Sequence, residues 1–275
     1  MYALRGTMRT FTYSEIETFL RCEQKHDYAY ERKLEPLVAH KALSRGTIIH
    51  TCVELFWKHR EAEIEPTILA WDTESEQERA LVTWLMTRYI QRYARDREQT
   101  LVVATEFPWR VQLDTFALAG WIDRLVIREG RLWLVETKTM GDWGRINNLS
   151  MDPQLSIYYW ALRELGFNVW GAEFDAIYTY RWVRDERPVD ASFAIVRLDR
   201  DNDQLDKFVR DAREVCRRIS SRRRSEPIKN VIQFGPMACS GCAFRDPCFE
   251  SLGGHPDEEE LLLAENYKRK EGSIR

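Results

Sequence analysis

Two runs rich in Val, Ile, Leu and Trp flank Glu129-Gly130 in the stretch GWIDRLVIREGRLWLVETK, residues 120–138. A two-residue turn at that point joins antiparallel strands and fixes their register. Arg128 then pairs with Arg131, and Asp123 lies opposite Glu136, with Cβ atoms about 4.5–5.5 Å apart on one face. Side chains alternate along a strand, so Lys138 shares that face with Glu136. Opposed carboxylates destabilise a sheet unless something offsets their charge. A hard divalent cation, Mg²⁺ or Mn²⁺, does so through oxygen ligands, and the carbonyl of Thr137 supplies another oxygen. Lys138 would then orient or deprotonate an activated water, or stabilise charge developing on a phosphate. The plainer reading is a solvent-exposed Glu/Lys pair, and a β-bulge would undo the register.

The surrounding chain changes period twice. Helices are expected over about 12–30, with Ser14 and Glu17 as a capping box, over 44–58 and over 76–95. Three strands follow, VVATEFPWRV, FALAGWIDRLVI and RLWLVETK. A helix at about 152–165 leads to strands EFDAIYTYRWV and ASFAIVRL, a charged helix at 201–220, a Cys-rich segment, and a helical tail over 257–271. Helices flanking a mixed sheet imply an α/β fold. Residues 1–100 form an N-terminal helical part, 101–200 the core, and 201–275 a C-terminal helix, cysteine segment and tail, with no interdomain linker.

In order along the chain stand Gly46-x-x-x-His50, Glu106 in TEFPW, Asp123, Glu136-x-Lys138 and Gln154-x-x-x-Tyr158. This set resembles the PD-(D/E)XK nucleases, specifically their RecB-type branch, over nearly the whole chain. The first acidic position reads GWID rather than P-D, as is common in that branch. The resemblance implies a restriction-endonuclease-like core in which His50, Asp123, Glu136 and the Thr137 carbonyl bind Mg²⁺ or Mn²⁺ and Lys138 is the catalytic lysine. Gln154 and Tyr158, one helical turn apart, would position the scissile phosphate or DNA end together with Glu106 on the first strand. Read alone, His50 would be a core histidine, and Gln154 and Tyr158 a helix surface.

CSGCAFRDPC, residues 239–248, carries Cys239, Cys242 and Cys248, three thiols where a metal centre needs four ligands. Cys52 lies on an apolar helix face and Cys216 in a charged helix; both read as ordinary thiols. The resemblance supplies the fourth ligand: members related to AddB and the CRISPR-associated exonucleases join one N-terminal cysteine to three C-terminal ones. It implies a [4Fe–4S] cluster on Cys22, Cys239, Cys242 and Cys248 that ties the chain ends together. Four thiolates also suit tetrahedral zinc.

With a net charge of −3 the molecule is no polycation, so a DNA surface must be local; RRISSRRR, residues 217–224, is the strongest basic cluster. The opening MYALRGTMRT lacks a signal peptide's apolar stretch and no run is long enough to span a membrane. A cytoplasmic protein in a bacterial or archaeal cell, or one encoded by a virus, is expected. The implied activity is a deoxyribonuclease, chiefly an exonuclease on single-stranded DNA or duplex ends. Recombination and repair, phage DNA metabolism or CRISPR adaptation would use it. Without a P-loop, unwinding needs a helicase partner; a recombinase, CRISPR adaptation proteins or further copies of the chain are other expected partners. Two other classes compete: a non-cleaving DNA-binding scaffold, and an iron–sulphur redox or regulatory protein.

Overall fold

The computed structural model describes residues 8–37, 41–73, 75–179, 192–222, 227–229 and 239–270. In chain order, β1 (Thr10–Phe11) precedes α1 (Tyr13–Arg21) and the short α2 (Glu23–His26), which runs into a π-turn and β2 (Leu34–Pro36). Next come α3 (Lys41–Trp57), α4 (Ile64–Leu69) and α5 (Glu76–Glu98). The strands β3 (Leu101–Leu113), β4 (Phe116–Arg128) and β5 (Arg131–Met140) follow, and a 3₁₀ segment, Trp143–Met151, leads to α6 (Pro153–Glu164). The chain continues through β6 (Val169–Tyr178), β7 (Phe193–Leu198), α7 (Asn202–Ser221), α8 (Arg245–Gly253), α9 (Pro256–Asn266) and β8 (Tyr267–Arg269).

These elements divide into two compact units. One contains Lys41–Val111 and Ala119–Val209. Its sheet is mixed: β4 runs antiparallel to β5, β5 parallel to β6, and β6 antiparallel to β7, with β3 also on β4. Isoleucine, valine and aromatic residues recur at helical spacing on α3 and α5. They pack Ile48, Ile49, Cys52, Val53, Phe56, Leu81, Leu85, Tyr89 and Tyr93 into one core with Ile177 and Phe193 of the sheet. The α/β class with helices flanking a mixed sheet is therefore the one observed. The strand expected through residue 183 ends at Tyr178; its remainder lies outside the described residues apart from Thr179.

The other unit contains Met1–His40, Gln112–Leu118 and Arg210–Arg275. Residues 41–100, expected with the N-terminal part, thus group with the core, because α3 and α5 bury their apolar faces against its strands. Within this second unit β1 pairs with the first residues of β4, and β2 pairs with β8. Tyr28, Phe244 and Leu263 form one small apolar cluster in it. Phe244 packs between Tyr28, at 5.2 Å, and Tyr267, at 5.0 Å between ring centroids.

Three local expectations change. The first helix is capped by Thr12, whose extended backbone lets its hydroxyl accept from the Glu15 N–H at 3.2 Å; Ser14 is already inside the helix. The run 12–30 breaks at Cys22, which is extended (φ −164°, ψ 112°) and caps α2 instead. The tail leaves the helix at Asn266 because Tyr267–Arg269 finds a strand partner in Leu34–Pro36. Of the basic cluster, 217–222 is described. Arg217 is held by Asp114 at 2.8 Å and Arg218 lies over the Phe19 ring. Residues 223 and 224 lie outside the described part. No described helix is long and apolar enough to cross a membrane.

Candidate active site

Glu129 (φ 52°) and Gly130 (φ 73°) both take left-handed backbone, the shape that lets a two-residue loop follow the twist of its strands. Arg128 pairs with Arg131, and the ladder runs in even register to Arg124 and Val135. One step further, the Thr137 N–H donates to Asp123 Oδ2 at 2.7 Å. Asp123 and Glu136 are thereby brought together from adjacent strands, with Lys138 two residues on.

His50 reaches the same place from α3, its Nδ1 3.3 Å from Asp123 Oδ2. Gly46, one turn earlier, brings the helix backbone close to β5: a Cβ there would sit 3.4 Å from Thr139 Oγ1. From α6, Gln154 donates Nε2 to Glu136 Oε1 at 2.7 Å and accepts from Lys138 Nζ at 2.9 Å. The same Nε2 lies 3.1 Å from the Tyr158 hydroxyl. Asp152 caps α6 by accepting from the Gln154 N–H at 2.8 Å and stands 3.9 Å from Lys138 Nζ. Gln154 therefore links the buried glutamate to the lysine. Tyr158 is buried and meets the Trp109 ring edge-on at 5.5 Å, so its ring is fixed by packing. Glu106 is exposed, in left-handed backbone (φ 48°) within β3, and its charge reaches Glu136.

The electrostatics are unequal. Burial pushes the Glu136 carboxyl well above the usual carboxylate range; the charge of Asp123 adds to this and Lys138 opposes it. Burial also works to raise Asp123, but the His50 hydrogen bond and charge, the Thr137 N–H and Arg124 outweigh it and hold the carboxyl below its usual value. Glu136 Oε2 is buried without a hydrogen-bond partner. An orphaned carboxylate oxygen beside an ionised Asp and a histidine fits a divalent cation, which would satisfy the oxygen and reverse the upward shift.

Two tighter groupings of ligand-type side chains occur among the described residues: Glu15, His26 and Glu31, and Glu250, His255 and Glu258. In the first, Arg9 Nη2 already lies 3.0 Å from Glu15 and 2.6 Å from Glu31, so an internal cation fills it. In the second, His255 and Glu258 are exposed.

In the second unit Cys22, Cys239, Cys242 and Cys248 line one pocket with Gln24, Lys25, Tyr28, Phe244, Arg245 and Phe249. Cys22 reaches it because the chain is extended between α1 and α2; its Sγ accepts from the Lys25 N–H at 3.5 Å. Cys239 and Cys242 share a turn closed by a Cys242 N–H to Cys239 carbonyl bond of 3.0 Å, and Cys248 projects from α8. Burial, then the charges of Cys22, Cys242 and Cys239, push Cys248 up to about 12. Four thiols converging in one pocket suit a thiophilic metal centre, whose charge favours the thiolate form. Cys52 and Cys216 are wholly buried elsewhere, each thiol raised to about 12 by burial.

Sequence reasoning passed over Arg124, Asp175, Tyr89 and Trp57, which lie behind this hairpin. Their signal was charge inside strand-like apolar runs, at Arg124 in IDRLVI and Asp175 in EFDAIY.

A structure described as a candidate exonuclease from Eubacterium rectale is similar to this chain with a TM-score of 0.53 at 12% identity, over 83% of this chain and 94% of that one. The alkaline exonuclease LHK-Exo of Laribacter hongkongensis is matched more loosely, with a TM-score of 0.28 at 14% identity, over 66% of this chain and 98% of that one. A search of curated proteins returned no match. The family description PD-(D/E)XK nuclease superfamily matches residues 10–249. This chain belongs to the PD-(D/E)XK nuclease superfamily.

Proposed function

We propose that this nuclease is a metal-dependent DNA exonuclease of the RecB type, acting on single-stranded DNA or duplex ends. The observation that carries this reading is the junction of Asp123, Glu136, Lys138 and Gln154, with His50 against Asp123. His50, Asp123, Glu136 and the Thr137 carbonyl would hold Mg²⁺ or Mn²⁺. Bound there, the cation supplies positive charge against the charge that develops on the phosphodiester, and it acidifies water. Lys138 orients the attacking water and stabilises the phosphorane-like charge. Gln154 keeps the Lys138 ammonium aimed by accepting from it, while its own N–H group holds Glu136. Asp152 and Tyr158 hold Gln154 in turn.

Four convergent cysteines support a [4Fe–4S] cluster on Cys22, Cys239, Cys242 and Cys248, with zinc as the alternative occupant. The cluster's work in this reading is structural. The four thiols lie beside the apolar cluster of Tyr28, Phe244 and Leu263, and a metal-bound crosslink there would add folding stability.

The test is degradation of labelled single-stranded DNA in Mn²⁺ by the wild type, Asp123→Ala and Lys138→Ala. Progressive shortening by the wild type, and at least about 100-fold less by each variant, is the expected result. Equal degradation by all three proteins would remove the active-site assignment, and none by the wild type would turn the reading toward a DNA-binding scaffold.

A further inference from the structure

Asp123, Glu136 and Lys138 occupy one face of the β4–β5 pair. The residues between and beside them, Arg124 and Thr137, point to the other. There Arg124 is 2% exposed. It donates Nη1 to Thr137 Oγ1 at 2.9 Å and Nη2 to Asp175 Oδ2 at 2.8 Å. Thr137 and Asp175 are direct partners across β5 and β6. The Tyr89 hydroxyl, on α5, also donates to Asp175 Oδ2, and it accepts from Trp57 Nε1 at 2.9 Å. The Arg124 guanidinium lies 5.0 Å from the Trp57 ring centroid.

A buried ion pair is a poor device for stability, since well-packed apolar residues of similar volume serve as well or better. This one also leaves Arg124 Nε and Asp175 Oδ1 buried without partners. What an apolar pair cannot do is hold a hydroxyl in a fixed direction. The hydroxyl it holds belongs to Thr137, whose peptide N–H carries Asp123 and whose carbonyl lies between Glu136 and Lys138.

We propose that Arg124, braced by Asp175 and Tyr89, is a positioning residue for the active site: its hydrogen bond to Thr137 Oγ1 fixes the strand segment that sets Asp123, Glu136 and the Thr137 carbonyl around one cation. Arg124, Asp175 and Tyr89 act on the site only through the orientation of the Thr137 peptide. The inference rests on the metal-dependent nuclease reading.

The experiment compares wild type, Thr137→Val and Thr137→Ser by calorimetric Mn²⁺ titration without DNA, by kcat and KM on single-stranded DNA, and by Tm. Valine keeps the shape and removes the acceptor, whereas serine keeps the hydroxyl. Thr137→Val should bind Mn²⁺ about 10-fold more weakly, the lower end of what losing a partner behind a metal ligand costs. Its KM for DNA should be unchanged, and Thr137→Ser should return Mn²⁺ affinity to within about twofold of wild type. A Thr137→Val protein with wild-type Mn²⁺ affinity and kcat and only a lower Tm overturns the proposal, leaving the network a structural one. A wild type that neither binds Mn²⁺ nor cuts overturns the nuclease reading and this inference with it. Should Thr137→Val fail to fold, Tyr89→Phe, which removes one bracing hydroxyl, should weaken Mn²⁺ binding about 3-fold; unchanged binding in that variant overturns the proposal equally.

Discussion

In the proposed site the chemistry turns on Glu136. Its carboxyl is buried, raised above its usual range, and half satisfied by Gln154. In the metal-free protein a raised carboxyl binds its proton up to higher pH than it does unfolded. It therefore stabilises the fold at acid pH, and that contribution is lost as pH rises from the unfolded carboxyl range through the raised folded value. A cation must displace the same proton, so Mn²⁺ affinity should rise with pH over that interval, with proton release on binding. Calorimetry in buffers of different ionisation enthalpy measures the release. Glu136→Gln should bind more weakly and release fewer protons on binding, whereas an unchanged release in Glu136→Gln would assign the proton elsewhere. The pairing of Asp123 with Glu136 was legible in the sequence because a Glu-Gly turn leaves few registers open. Arg124 was not: a charged side chain inside an apolar run reveals nothing of its partner, and Asp175 lies two strands away in the sheet order.

Elements followed the hydrophobic period closely wherever that period was long. The helices at Lys41–Trp57 and Glu76–Glu98 and the strands flanking Glu129-Gly130 all lie within a few residues of where periodicity predicts them. Misreadings fell at ends and at the Cys22 break in the run 12–30, where a single hydrogen bond decides. Thr12 displaces Ser14 as a cap because its backbone is extended, and Tyr267–Arg269 becomes a strand only because Leu34–Pro36 is there to pair with it. Such partners are remote in sequence and leave no local signal. Two stability predictions belong at this scale. Thr12→Ala should cost about 1 kcal/mol through the lost cap, read as a lower midpoint in urea. Gly130→Ala should cost about 1 kcal/mol, because a Cβ strains left-handed backbone; at temperatures well below Tm its kcat should be that of the wild type.

At the scale of the molecule, two compact units carry two different metal-type donor sets, oxygen and imidazole in one and thiols in the other. The resemblance to a family joined Cys22 to the three thiols of CSGCAFRDPC, and the four line one pocket. Its reach into the pocket depends on the break at the end of α1, which no periodicity marks. Cys22→Ala should lose iron, visible absorbance and soluble yield together, while Cys52→Ala and Cys216→Ala keep their iron, as elemental analysis of anaerobically purified protein would measure. Iron retained in Cys22→Ala would exclude that residue as a ligand, and one zinc in a colourless wild type would replace the cluster with its alternative.

The central claim is that one cation is held by His50, Asp123 and Glu136 beside a lysine that acts on the phosphodiester. Electron paramagnetic resonance of Mn²⁺ titrated into the protein, read beside DNA cleavage, separates holding from acting. The wild type should bind and cut; Asp123→Ala and Glu136→Ala should lose binding; Lys138→Ala should bind as the wild type does and fail to cut. Wild-type binding in Asp123→Ala and Glu136→Ala, or undiminished cleavage in Lys138→Ala, would contradict the claim.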